Sequence, residues 1–243
     1  MRVRKDAHCC IRGPILDWLH GRRMAWRPGN HHRIAMKLYY TPGVCSMAVH
    51  IALREAGLPV MLARVDLHTH KLAVPENGTD DYYTINPRGY VPLLQLDDGS
   101  RHTEVASLLQ YIADLVPERH LLPAAGTRER LEATGWITLV STELHKVFSP
   151  WLWHKETAQS TQDECKAKLA RRFAELDRHL QTRQFLTGDT FTVADAYCFT
   201  IVGWARILKL PLNDYPALQQ YLSRVGARPA VQEAMRAEGL VRD

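Results

Sequence analysis

Cys45 is the residue of this chain best placed for chemistry. It follows Met36-Lys37-Leu38-Tyr39-Tyr40, a short apolar run that reads as a strand and that Thr41-Pro42-Gly43 stops. After it, Ser46 to Gly57 reads as a helix, with Ala48, Ile51, Ala52 and Leu53 on one face and Gly57 as the C-terminal stop. The thiol therefore falls at a helix start, where unpaired N–H groups and the helix dipole favour negative charge and lower a thiol pKa. The competing reading is a small apolar residue that plugs the turn.

The elements that must hold this turn are readable on either side of it. Val60 to Leu67 reads as a second strand, and its distance from the first fits a right-handed βαβ unit. Residues 68–90 are polar and read as loop, with Pro75, Gly78, Pro87 and Gly89 as breakers. Val91 to Leu96 is a third strand, Asp97-Asp98-Gly99 a turn, and Ser100 to His102 a short return strand. Glu104 to Leu115 then reads as a helix with Val105, Leu108, Leu109 and Ile112 as its buried stripe. Beyond a connector rich in Pro and Gly the period becomes helical and stays so. The helices expected there are 128–148, 162–181, 193–208, 216–224 and 230–238. Thr192 and Asp195 form a capping-box start for the third of them.

The domain reading is an N-terminal extension over 1–35, an α/β domain over 36–115, a linker over 116–126 and an all-helical domain over 127–243. The extension carries eight Arg or Lys against Asp6 and Asp17, so it accounts for the net charge of +5 and the remainder is close to neutral. It has no signal-peptide apolar core, and Met36 is a candidate natural start. A near-neutral body argues against nucleic acid as a partner. No apolar run reaches the roughly 18 residues of a membrane span. Five cysteines, an odd count without C-x-x-C spacing, argue against a disulfide scaffold and a metal site and for a reducing, cytoplasmic compartment.

Over residues 36–240 the chain resembles the soluble glutathione transferases, most closely their bacterial beta class. The resemblance rests on YYTPGVCSMAVHIALREAG (39–57), NPRGYVPLLQLDDG (86–99), Thr103-Glu104, TELHKVFSP (142–150) and FTVADAYCFT (191–200). It implies a thioredoxin-like N-terminal domain followed by an all-α C-terminal domain, and a homodimer. It also implies glutathione as co-substrate and a small hydrophobic electrophile as its acceptor, with no metal.

The same resemblance implies roles residue by residue. Cys45 matches the cysteine beside the glutathione sulfur, able to form a mixed disulfide that only an external thiol could resolve. Val91-Pro92 matches a cis-proline turn that meets the ligand's peptide backbone. Glu104 matches the acid that binds the γ-glutamyl group, next to the helix-start N–H of Val105. His145 matches a histidine near the sulfur, and Lys146 is a candidate for a ligand carboxylate. Tyr40, Trp151 and Trp153 are candidate walls of the electrophile cleft. Three positions depart from the class. Val105 replaces a Ser or Gly, His70 or Lys71 stands where a lysine reaches the glycine end of glutathione, and Thr138 replaces an Asn donated across the dimer. Conjugation, thiol–disulfide exchange at Cys45, and a non-catalytic binding protein on the same fold all remain open at this point.

Overall fold

The computed structural model describes residues 36–241. The reading of residues 1–35 as an extension, with Met36 as the start, lies outside the described residues.

β1 (Met36–Tyr40) runs parallel to β2 (Val60–Asp66), with Leu38 opposite Leu62, and α1 (Ser46–Ala56) makes the crossover. Gly57 ends α1 at φ 67°, and the Leu58 N–H returns to the Leu53 carbonyl at 3.1 Å. Glycine is the residue that adopts this left-handed stop without strain.

The segment read as loop contains two strands, β3 (Lys71–Glu76) and β4 (Thr79–Asp81), and a single 3₁₀ turn at Tyr82–Thr84. Asn77 and Gly78 join the two strands at φ 50° and 81°. Two positive φ values are what a tight hairpin turn demands, and Asn-Gly is its strongest sequence signal. The Pro75 breaker is compatible with a strand because β3 pairs with β2 only at Lys71 and Leu72. Polarity misled here, since only Leu72 of β3 is buried.

β5 (Leu93–Gln95) lies antiparallel to β1, and β6 (Arg101–His102) completes the hairpin before α2 (Val105–Leu115). The sheet order is β4-β3-β2-β1-β5-β6. Alternation then assigns the two faces of β1. Leu38 and Tyr40 join α1 and α2 in the main core, and Tyr39 faces a smaller cluster with Val65, Tyr82, Val91 and Leu93.

The rest of the chain is helical. Thr127 caps α3 (Arg128–Leu139) by accepting the Arg130 N–H at 3.1 Å. The helix expected over 128–148 is continuous but not uniform, because Val140–His145 is a π-helical turn that leads into α4 (Lys146–Phe148). Such widened turns leave no mark on the hydrophobic period, and they recur at functional sites. α5 (Gln159–Leu180), α6 (Val193–Ile207), α7 (Pro216–Gly226) and α8 (Pro229–Ala237) follow.

The capping box at α6 is formed. Asp195, fully buried, accepts the Thr192 N–H at 2.8 Å, and its other oxygen takes the Leu186 N–H at 2.9 Å and the Tyr221 hydroxyl at 3.0 Å. α6 and α8 pack directly on α1, so the helical region grips the element that carries Cys45 at its head. The architecture is a thioredoxin-like α/β domain followed by an all-helical one.

Candidate active site

The Cys45 turn is built from its own short-range bonds. Ser46 exchanges hydrogen bonds with Thr41, its hydroxyl donating to the carbonyl at 3.2 Å and accepting the N–H at 3.3 Å. Gly43 has φ 71°, and a Cβ there would sit 3.3 Å from Leu240. Cys45 is the N-cap residue of α1, half-buried, and its thiol donates to the Val91 carbonyl at 3.3 Å. The expected lowering of its pKa is overturned. Desolvation pushes the thiol up to about 12, against the opposing pull of the Cys45 and Ser46 N–H groups and Lys146. A helix start favours a thiolate, but the loss of water outweighs it in this turn.

The Val91–Pro92 bond is cis. Its approach is pinned just upstream, where the Tyr90 carbonyl accepts both Asn86 Nδ2 at 2.7 Å and the Tyr82 hydroxyl at 2.9 Å. Gly89, at φ 68°, allows the close passage of His70, whose Nδ1 would lie 2.8 Å from a Cβ there. The His70 ring also stacks on Tyr83 at 4.6 Å, and its buried Nδ1 has no hydrogen-bond partner. Lys71, by contrast, is spent on Asp80 at 2.8 Å on an exposed strand pair, so it is the poorer of the two candidates. Glu104 is the N-cap of α2 at φ 71°, a strained value for a residue with a side chain. Its carboxylate is exposed and faces Arg88 at 3.5 Å. Val105 is buried at the first helical position, where backbone N–H groups have no partner within the helix.

The helical region supplies the opposite side. His145 ends the π turn, and its Nδ1 lies 2.8 Å from the hydroxyl of buried Tyr197. The edge of Trp204 stands 5.3 Å away at 72°. Burial, reinforced by Lys146, lowers the His145 pKa to about 4, so the ring is neutral near pH 7. Lys146 is exposed, and Lys146 and Glu104 are both close enough to act on the Cys45 thiol. Trp151 and Trp153 are about half exposed, and Trp153 packs edge-on against Trp204 at 5.5 Å. Tyr40 is not a cleft wall. It is 8% exposed and packs against His50 in the core beneath α1, because the alternation of β1 turns it inward.

Four residues that sequence reasoning passed over belong to this neighbourhood. Trp204 donates its indole N–H to the Gly43 carbonyl at 2.9 Å, and Glu238 accepts the Gly43 N–H at 2.8 Å. The other Glu238 oxygen meets His50 Nδ1 at 2.9 Å, with both side chains wholly buried. Tyr197 holds His145. A histidine inside the apolar face of a helix was the available signal for His50. Nothing local marks Glu238, whose partners are remote in sequence. Among the described residues no group of three or more His, Cys, Asp or Glu converges as a metal ion would need.

The fold and this turn define a class of protein in which a thioredoxin-like domain presents a cysteine and a cis-proline to a helical domain. The family models for the glutathione S-transferase N-terminal and C-terminal domains match residues 43–115 and 139–229. Glutathione S-transferase GstA of Escherichia coli O157:H7 is 42% identical, over 84% of this chain and 100% of that protein. A sphingomonad glutathione S-transferase solved in complex with glutathione superposes with a TM-score of 0.78 at 37% identity, covering 84% of this chain and all of the other. The beta-class enzyme of Sphingomonas chungbukensis does so at 0.78 and 38%, with the same coverage. The chain belongs to the glutathione S-transferase family, and it is a glutathione transferase.

Proposed function

We propose that the chain is a beta-class, cytoplasmic, homodimeric enzyme that conjugates glutathione to small hydrophobic electrophiles. The observation that carries the reading is the meeting of Cys45 with the Val91 carbonyl beside a cis-proline, with Lys146 within electrostatic reach. Glutathione lies along this turn. Its cysteine backbone pairs with Val91, whose carbonyl has a second lone pair to offer besides the one Cys45 uses. Its γ-glutamyl ammonium pairs with Glu104, and the carboxylate beside it meets the α2 start at Val105. The glycine end reaches His70.

In the reaction the glutathione sulfur, as thiolate, forms a bond to an electrophilic carbon. A leaving group such as chloride departs with its electron pair, and the thiol proton passes to solvent. Hydrogen bonding to the sulfur raises the fraction of thiolate near neutral pH. His145 and the Cys45 turn supply that environment, and Trp151 and Trp153 wall the electrophile.

Conjugation is favoured over disulfide exchange at Cys45 because burial keeps this thiol protonated in the free enzyme. The homodimer is supported by an open groove of about 440 Å³ in which Leu96 and Tyr111 stand among Arg101, His102, Thr103 and Ser107, and by Leu131 standing 75% exposed on α3. Analytical ultracentrifugation giving a monomer would overturn it. The cytoplasm is inferred from cysteine usage, with Cys45, Cys165 and Cys198 free.

The deciding experiment is turnover of chlorodinitrobenzene with glutathione by the parent and by Cys45→Ala. Activity in both supports conjugation with Cys45 as an auxiliary. Loss in the variant alone makes Cys45 essential and shifts the reading to covalent thiol chemistry. Inactivity of both defeats the conjugation reading for this substrate class.

A further inference from the structure

The His145 ring is held by more than packing. Its Nδ1 is 2.8 Å from the Tyr197 hydroxyl. His145 closes the π turn that begins at Val140, and Ser141 of the same turn lies close enough to the phenol to act on it. Their neighbours behave differently. Thr138 and Thr142 turn their hydroxyls back onto the Thr134 and Thr138 carbonyls at 2.9 and 3.0 Å. Tyr197 itself is 1% exposed on α6, and its edge-on contact with the imidazole adds to that of Trp204.

Proton counting gives this pair a direction. The Tyr197 hydroxyl is buried, and among the described residues its one hydrogen bond of normal length is to Nδ1, so its single proton goes to that lone pair. Burial raises the phenol pKa far above the working range, so that proton stays on the oxygen. A neutral imidazole that accepts at Nδ1 carries its hydrogen at Nε2.

We propose that Tyr197 is a positioning residue for the transferase reaction. Through its hydrogen bond to Nδ1 it locks His145 in the Nε2–H tautomer, so that the ring offers the glutathione sulfur a hydrogen-bond donor and not a competing lone pair. This rests on the glutathione site described above. Without the phenol the neutral ring is free to place its proton on Nδ1. The fraction of rings that can donate to a thiolate then falls, while the groups that bind the rest of glutathione are untouched.

The test is the ¹⁵N NMR signature of His145 in histidine-labelled parent and Tyr197→Phe enzyme, assigned by its disappearance in His145→Gln, with kinetics on chlorodinitrobenzene. The expected parent signal is that of a neutral ring protonated at Nε2. Tyr197→Phe shifts it toward the Nδ1–H tautomer and lowers kcat by about tenfold, the weight of roughly one ordinary hydrogen bond, with the KM for glutathione within about twofold. If Tyr197→Phe does not fold, the tautomer of the parent ring decides alone. A parent ring protonated at Nδ1, or a tautomer and kcat unchanged in Tyr197→Phe, overturns the proposal. A parent without turnover defeats the functional reading instead, and the tautomer measurement still judges this one.

Discussion

The carboxylate of Glu238 accepts the backbone N–H of Gly43 at 2.8 Å, which ties the residue just past α8 to the turn two residues before Cys45. The same carboxylate lies 2.9 Å from His50 Nδ1, with both side chains wholly buried. Removing one partner leaves a buried polar group without its hydrogen bond, which costs about 1–3 kcal/mol. Glu238→Ala is therefore expected to lower the urea midpoint strongly. Glu238→Gln, which still accepts from Gly43, is expected to cost less. Equal midpoints for parent and Glu238→Ala would show that the tie contributes nothing.

Desolvation of the thiol makes Cys45 a poor nucleophile in the ligand-free enzyme. With its pKa pushed up to about 12 by desolvation, the thiolate fraction rises about tenfold per pH unit through pH 8–10. Alkylation of Cys45 by iodoacetamide, followed by peptide mass spectrometry, is expected to track that slope. A rate that levels off near pH 7 would mean that the helix start governs the thiol after all.

His145 is expected to make the fold acid-sensitive. Its folded pKa, about 4, lies below the ordinary value of 6.5, so the unfolded chain takes up this proton first as pH falls. Its contribution is complete above pH 6.5 and is lost as pH drops through about 4. Between pH 7 and 4.5 the parent should lose about 2–3 kcal/mol more stability than His145→Gln. Parallel losses in the two proteins would refute the assignment. The rate profile of the parent should also show no inflection from His145 near pH 6.5.

Ligand contacts along the first domain should separate by how committed each side chain already is. Lys71 is held by Asp80 in an exposed pair that solvent and salt screen. Lys71→Ala should leave the KM for glutathione within about twofold. Glu104→Gln should raise it about tenfold or more, since a charge-assisted contact of about 1.5–3 kcal/mol is lost. The reverse order in steady-state kinetics would move the glycine end of the ligand to Lys71.

How much of this was legible in the sequence depends on the reach of each interaction. The strand, turn and helix around Cys45, the two-part division and the α6 capping box follow from period and turn chemistry within a few residues, so local pattern was sufficient to see them. The β3–β4 hairpin was missed although Asn77-Gly78 announces it, because a strand that buries only Leu72, next to the sheet edge, carries almost no hydrophobic signal. Tyr40 was misplaced because alternation says that neighbouring residues face opposite sides without saying which side is open.

By itself the sequence determined which chemistry is available: a cysteine at a helix start, a proline turn, an acid before a helix, and a histidine on another. Tertiary structure alone decided the state of those groups. Burial made the Cys45 thiol hard to ionise and kept His145 neutral. Contacts spanning more than a hundred and fifty positions, from Trp204 and Glu238 to Gly43, hold the turn in place. Solvation and hydrogen bonding act through space, and which groups share a space is settled only once the chain has packed.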